Sequence, residues 1–141
     1  GKNMRKSLDE QFTTMSRLHN ATIQKVKTLR KIIKNDETSE DEKKEREKQL
    51  IFWETMHQQQ MEVISKIVHE AIRLKENIEI RNEDELYALI FFFAANGVEG
   101  QKIVSISPNF PETRFSMNFV QAYCSENRYL MKGLIISIMT E

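Results

Sequence analysis

The side chains able to carry chemistry in this chain are few: three histidines, His19, His57 and His69, and one cysteine, Cys124. Glu54-Thr55-Met56-His57 has the Glu-x-x-His spacing that sets two ligands one helical turn apart, as in the di-iron centres of helical bundles. No second Glu-x-x-His occurs, so such a centre would require a second copy of the chain and further inward-facing glutamates. His57 therefore reads as a solvated or seam-packed histidine. Cys124 as a nucleophile would need a base, and every histidine lies in the first half of the sequence. The sequence contains no Gly-x-Ser-x-Gly, no phosphate-cradling glycine loop, no His-Glu-x-x-His and no cysteine pair. No catalytic residue, metal or cofactor is assigned, and an enzyme is not expected. A single cysteine excludes an internal disulfide, fits a reducing, intracellular setting (cytoplasmic or nuclear), and reads as a buried inert thiol.

The elements that must position these side chains are dominated by one stretch, Glu40 to Asn77. Within it Leu50, Trp53, His57, Gln60, Ile64, Ile67, Ala71 and Leu74 alternate at three- and four-residue steps, the seam of a coiled coil. The middle of this seam is polar. Such residues fix register or oligomer state; alternatively the helix rotates there and turns Met56 and Val63 inward. A stripe of this kind cannot be buried by its own helix, so another helix or a second copy must cover it.

The stretch from Gly1 to Lys34 holds a further helix. Ser7-Leu8-Asp9-Glu10 reads as its capping box, and Leu8, Phe12, Met15, Leu18, Thr22, Val26, Leu29 and Ile33 follow the helical period. About 28 residues at ~1.5 Å each make a rod of roughly 40 Å. Lys31 and Lys34 complement the carbonyl end, and Asn35 is the expected left-handed cap. After a short polar link, Ser39-Glu40-Asp41-Glu42 opens the second helix, whose first turns are charged and should lie in water. Two long helices so closely joined fold back most simply as an antiparallel hairpin. A parallel dimer through the second helix is the alternative, and two hairpins could also form a four-helix bundle.

Beyond Asn77, Ile78 to Arg81 alternates as a short strand or linker, and Asn82 caps a helix, Leu86 to Ala95, that is apolar on every side and belongs in mid-core. Asn96-Gly97 stops it. Lys102 to Ser107 and Arg114 to Phe119 read as the two strands of a β-hairpin around the turn-rich Pro108 to Thr113. A last helix is expected from a Ser125 cap through Ile138, with a third strand or helix throughout as alternatives. The fold class expected is mainly α with a small α+β part: a helical hairpin or coiled coil over residues 1–77, then a compact domain over 78–141. The apolar Leu134 to Met139 so near the last residue suggests that flanking sequence completes this domain.

Acidic and basic residues balance at 21 each, which removes any bulk attraction to nucleic acid or anionic membrane. Between Gly1 and Lys34 the chain nonetheless carries nine Lys/Arg against two acids. Lys27, Arg30, Lys31 and Lys34 share one helical face, a candidate phosphate-contacting stripe, though no aromatic interleaves for base stacking. Phe110, between Pro108 and Pro111, is the candidate partner anchor. The longest apolar run is about ten residues, too short for the ~20 that span a bilayer. The expected function is a protein-interaction and oligomerisation module, a scaffold or adaptor of an intracellular or viral assembly, binding a protein partner or itself. Nucleic-acid binding through the first helix is the second choice, and no membrane partner is expected.

Overall fold

A computed structural model describes residues 7–141. In chain order the elements are α1 (Leu8–Lys34), α2 (Glu40–Leu74), β1 (Ile78–Ile80), α3 (Glu83–Asn96), β2 (Val104–Ile106), α4 (Arg114–Cys124) and α5 (Arg128–Thr140). Helix dominates, and the two strands form a small parallel sheet.

Local sequence accounts for most boundaries. Ser7, Ser39 and Asn82 each accept the backbone N–H three residues on and so satisfy a donor the helix cannot. Asn35, expected as a left-handed cap, is extended instead (φ −73°, ψ 120°) and turns the chain toward Ser39 with its side chain accepting from the Glu37 N–H. The left-handed residue lies at the end of α2, where Lys75 (φ 56°) closes the helix before Asn77.

The core is a single cluster to which every helix contributes. Phe12 and Ile23 of α1, Ile64, Ile67, Val68 and Ala71 of α2, and Phe119, Met131 and Ile138 of the last two helices surround α3. In α3 Leu86, Ala88, Leu89, Ile90, Phe92, Phe93 and Ala94 are all buried, as its uniform hydrophobicity demands. Glu85, at the start of α3, is fully buried as well. It accepts from the Thr13 hydroxyl of α1 (2.6 Å) and from the Arg81 N–H (2.9 Å), while the Arg81 guanidinium reaches Asp9 of α1 (2.6 Å).

The expected β-hairpin is absent among the described residues. β1 pairs with β2 in parallel, Ile78 against Val104 and Ile80 against Ile106, with α3 as the crossover that parallel pairing requires. The segment Arg114–Phe119, expected as the second hairpin strand, begins α4. Thr113 and Ser116 form a reciprocal capping box there, and the buried residues Phe119, Ala122 and Tyr123 follow the helical period. Met117, which strand alternation would have turned inward with Phe115 and Phe119, is 53% exposed. Tyr123 ties α4 to the sheet: its hydroxyl accepts from the Ile103 and Val104 N–H groups and donates to the Gln101 carbonyl. The final helix starts from an Asn127 cap rather than Ser125, after Glu126 turns the chain with φ 54°.

Candidate functional site: an apolar groove beside a buried histidine pair

Helices α2, α3 and α5 leave an open groove of about 730 Å³ between them. Its floor is apolar, from Met61 of α2, Phe91 and Ala94 of α3, and Ile135 of α5, with Ala95 of α3 exposed at its lip. Glu62 and Lys66 stand on the α2 wall and Lys132 on the α5 wall, none of them in an ion pair among the described residues. Arg128 fixes the α3 end of the groove by donating to the Ala94 and Ala95 carbonyls, at 2.8 and 2.5 Å. Those carbonyls end a helix and would otherwise lack partners.

His57 forms part of one wall and connects the groove to the interior. Its Nε2 lies 3.0 Å from Nε2 of His19 on α1, which has no exposed surface. At that separation one Nε2 carries the proton and the other accepts it. The Phe91 ring packs nearly perpendicular to both imidazoles, at 5.0 and 5.1 Å between centroids. Burial, reinforced by His57, pushes the His19 imidazole down to about 3. Burial and then the nearby Arg30 also lower His57, against an opposing pull from Glu54. Both rings are therefore neutral at pH 7. His19 Nδ1, Ser16 Oγ one turn before it and Gln60 Oε1 one turn after His57 are buried without a hydrogen-bond partner. The interface between α1 and α2 is thus polar where the seam itself turns polar.

The remaining residues singled out from the sequence divide in several ways. Of the seam, Ile64, Ile67 and Ala71 are buried in the chain's own core; Leu50, Trp53, His57 and Gln60 are half-buried, and Leu74 is exposed. Glu54, one turn from His57, pairs with Arg30 at 3.2 Å. Among the described residues no group of three His, Cys, Asp or Glu side chains is arranged to hold a metal. His69 contacts Asn96 Oδ1 at 3.3 Å. Cys124, expected to be buried, is exposed, because it falls at the end of α4 on the side away from Phe119 and Tyr123.

Of the basic stripe, Arg30 is committed to Glu54 and Lys31 donates to the Glu141 carbonyl at 3.4 Å; Lys27 is half-buried and Lys34 exposed. Pro108 and Pro111 are placed differently from the ring between them: Phe110 is half-buried against the core beside a pocket of about 240 Å³ shared with Ile106, Met117 and Val120, and Pro111 is exposed on its rim.

The groove has no signature in the sequence, since Met61, Phe91 and Ile135 come from three separate helices, α2, α3 and α5. The histidine pair does have one. His19 and His57 stand nearly equidistant in sequence from the Asn35–Ser39 turn that joins their helices.

No family model, curated protein or solved structure matches the chain. Among the described residues no helix is long and apolar enough to cross a membrane.

Proposed function

We propose that this chain is a non-enzymatic protein-interaction module in which α1 and α2 form an antiparallel hairpin and the α2–α3–α5 groove receives an amphipathic helix of a partner protein. The observation that carries this reading is the groove itself. It is open along its length, apolar on its floor and charged only at its walls, which suits a row of apolar side chains at helical spacing rather than an enclosed small molecule. Its titratable neighbours, His57, Glu62, Lys66 and Lys132, form no nucleophile–base pair.

The test is selection of amphipathic helices from a displayed peptide library at pH 7.5, followed by measurement of the binders on Ala95→Glu. Ala95 is exposed on the groove lip, so this substitution leaves the core untouched. Binders with apolar residues at i, i+3 or i+4 and i+7 that lose at least ~10-fold affinity on Ala95→Glu support the reading. Binders that keep their affinity, or the absence of such binders, overturn it.

A second reading, self-association, is favoured by Ile51 and Phe52. They stand side by side on α2 at 68% and 56% exposure. Nucleic-acid binding through α1 is less well supported, because Arg30 and Lys31 already have partners within the chain.

A further inference from the structure

We propose that the His19–His57 pair is a proton-operated latch that holds α2 and the groove floor in place and releases them on acidification. The inference rests on the reading of the groove as a docking site for its biological use; the latch itself rests on the geometry of the pair.

Two imidazoles joined Nε2 to Nε2 at 3.0 Å share one proton between them. A proton added to each ring would set N–H against N–H and break the contact. A first added proton is already disfavoured on either ring: His19 is wholly buried with its Nδ1 facing no acceptor, and on His57 burial and then Arg30 oppose the charge. The charged surroundings reinforce this. From α1 the charged group beside the pair is Arg30, which opposes a further positive charge. From α2 it is Glu54, which favours one but is already paired with Arg30. Farther along the groove are Glu62 and Lys66 of α2 and Lys132 of α5. From α3 the pair meets the Phe91 ring, which carries no charge.

The pair therefore takes up protons by separating, with half-buried His57 turning toward the open groove. Phe91 packs against both rings and forms part of the groove floor, so separation also unseats the floor. A histidine that titrates at its ordinary value of 6.5 once opened, and not in this range while closed, shifts the equilibrium toward the open form by up to about 30-fold between pH 7.5 and pH 5.

Amide hydrogen exchange on the full chain, without ligand, tests the latch. Expected on going from pH 7.5 to pH 5 is a loss of protection of up to about 30-fold over residues 54–65 and 88–95 that low urea barely changes, the mark of a local opening, whereas residues 103–106 and α4 exchange by the urea-sensitive global route. In His19→Leu, or in His19→Gln should the apolar variant fail to fold, the profile becomes flat. Unchanged protection in the unsubstituted chain, an equal loss in the His19 variant, or a loss over residues 54–65 and 88–95 as urea-sensitive as that of α4 would overturn the proposal. Peptide binding at pH 7.5, where the latch is closed, tests the docking reading separately: loss of that reading leaves the exchange result standing, and a flat exchange profile leaves groove binding untouched.

Discussion

Replacing Glu85 probes the contact that ties the start of α1 to the β1–α3 junction. The carboxylate is fully buried and accepts from the Thr13 hydroxyl at 2.6 Å and the Arg81 N–H at 2.9 Å. Glu85→Ala removes both acceptor oxygens and leaves the Arg81 N–H without its partner, at about 1–3 kcal/mol when unsatisfied, whereas the Thr13 hydroxyl keeps the Asp9 carbonyl, 3.0 Å away, as an acceptor. Arg81 is exposed, so the lower end applies. The Arg81 guanidinium lies 3.7 Å away with its side chain 44% exposed, and solvent screening limits its share to a few tenths of a kcal/mol. Relief from burying a charge offsets part of the loss. The expected net destabilisation is about 1–2 kcal/mol, whereas Glu85→Gln, which keeps an acceptor, costs below about 1 kcal/mol.

Urea unfolding at pH 7, followed by circular dichroism, measures both. A Thr13→Val/Glu85→Ala double-mutant cycle should return a coupling of about 1 kcal/mol. A Glu85→Ala protein within ~0.5 kcal/mol of the parent would refute the reasoning, because a buried carboxylate with two direct donors would then contribute nothing. Equal losses in the Ala and Gln variants would show that charge, not orphaned donors, sets the cost.

Further outcomes follow from the same structure. Unfolded His19 takes a proton below its ordinary value of 6.5 while the folded residue resists until about 3, so stability is full above the upper value and falls as pH drops through the window. At pH 5 the loss is about 2 kcal/mol, read from a pH series of urea transitions and removed by His19→Leu. Tyr123→Phe deletes the hydroxyl that serves Ile103, Val104 and Gln101, and should cost about 1–3 kcal/mol in thermal or urea unfolding. If the exposed Ile51 and Phe52 mediate self-association, light scattering coupled to size exclusion should show a concentration-dependent oligomer for the unsubstituted chain and a monomer for Phe52→Asp, at unchanged thermal stability. A monomer in both cases removes that reading.

The helical framework is legible in the sequence because its signals are local. Ser7, Ser39 and Asn82 cap the helices that their types and spacing announce, and the uniformly apolar Leu86–Ala95 lies at the centre of the core. Misreadings arise where periods two and 3.6 coincide over a short run. Phe115 and Phe119 satisfy both patterns, and only the Thr113–Ser116 capping box and the later Ala122 and Tyr123 decide for helix. Strand pairing follows from that choice, since a parallel partner across α3 cannot be read from either strand alone. At the candidate site His57 is visible as a polar break in an apolar seam, but finding its partner requires the two helices to be aligned. The groove lies beyond any periodicity argument, since residues of α2, α3 and α5 meet only after the chain has folded. The lone cysteine misleads in the same way: burial follows from position on α4, not from residue type.

The docking claim is tested most directly by mapping where a selected amphipathic peptide sits, through backbone amide shifts of the labelled chain at pH 7.5. A helix seated in the groove should perturb the faces of α2 near Gln58–Lys66, α3 near Phe91–Ala95 and α5 near Lys132–Ile135, with every perturbation lost in Ala95→Glu. Perturbations gathered instead around Ile51 and Phe52, or around Phe110, Met117 and Val120, would contradict it.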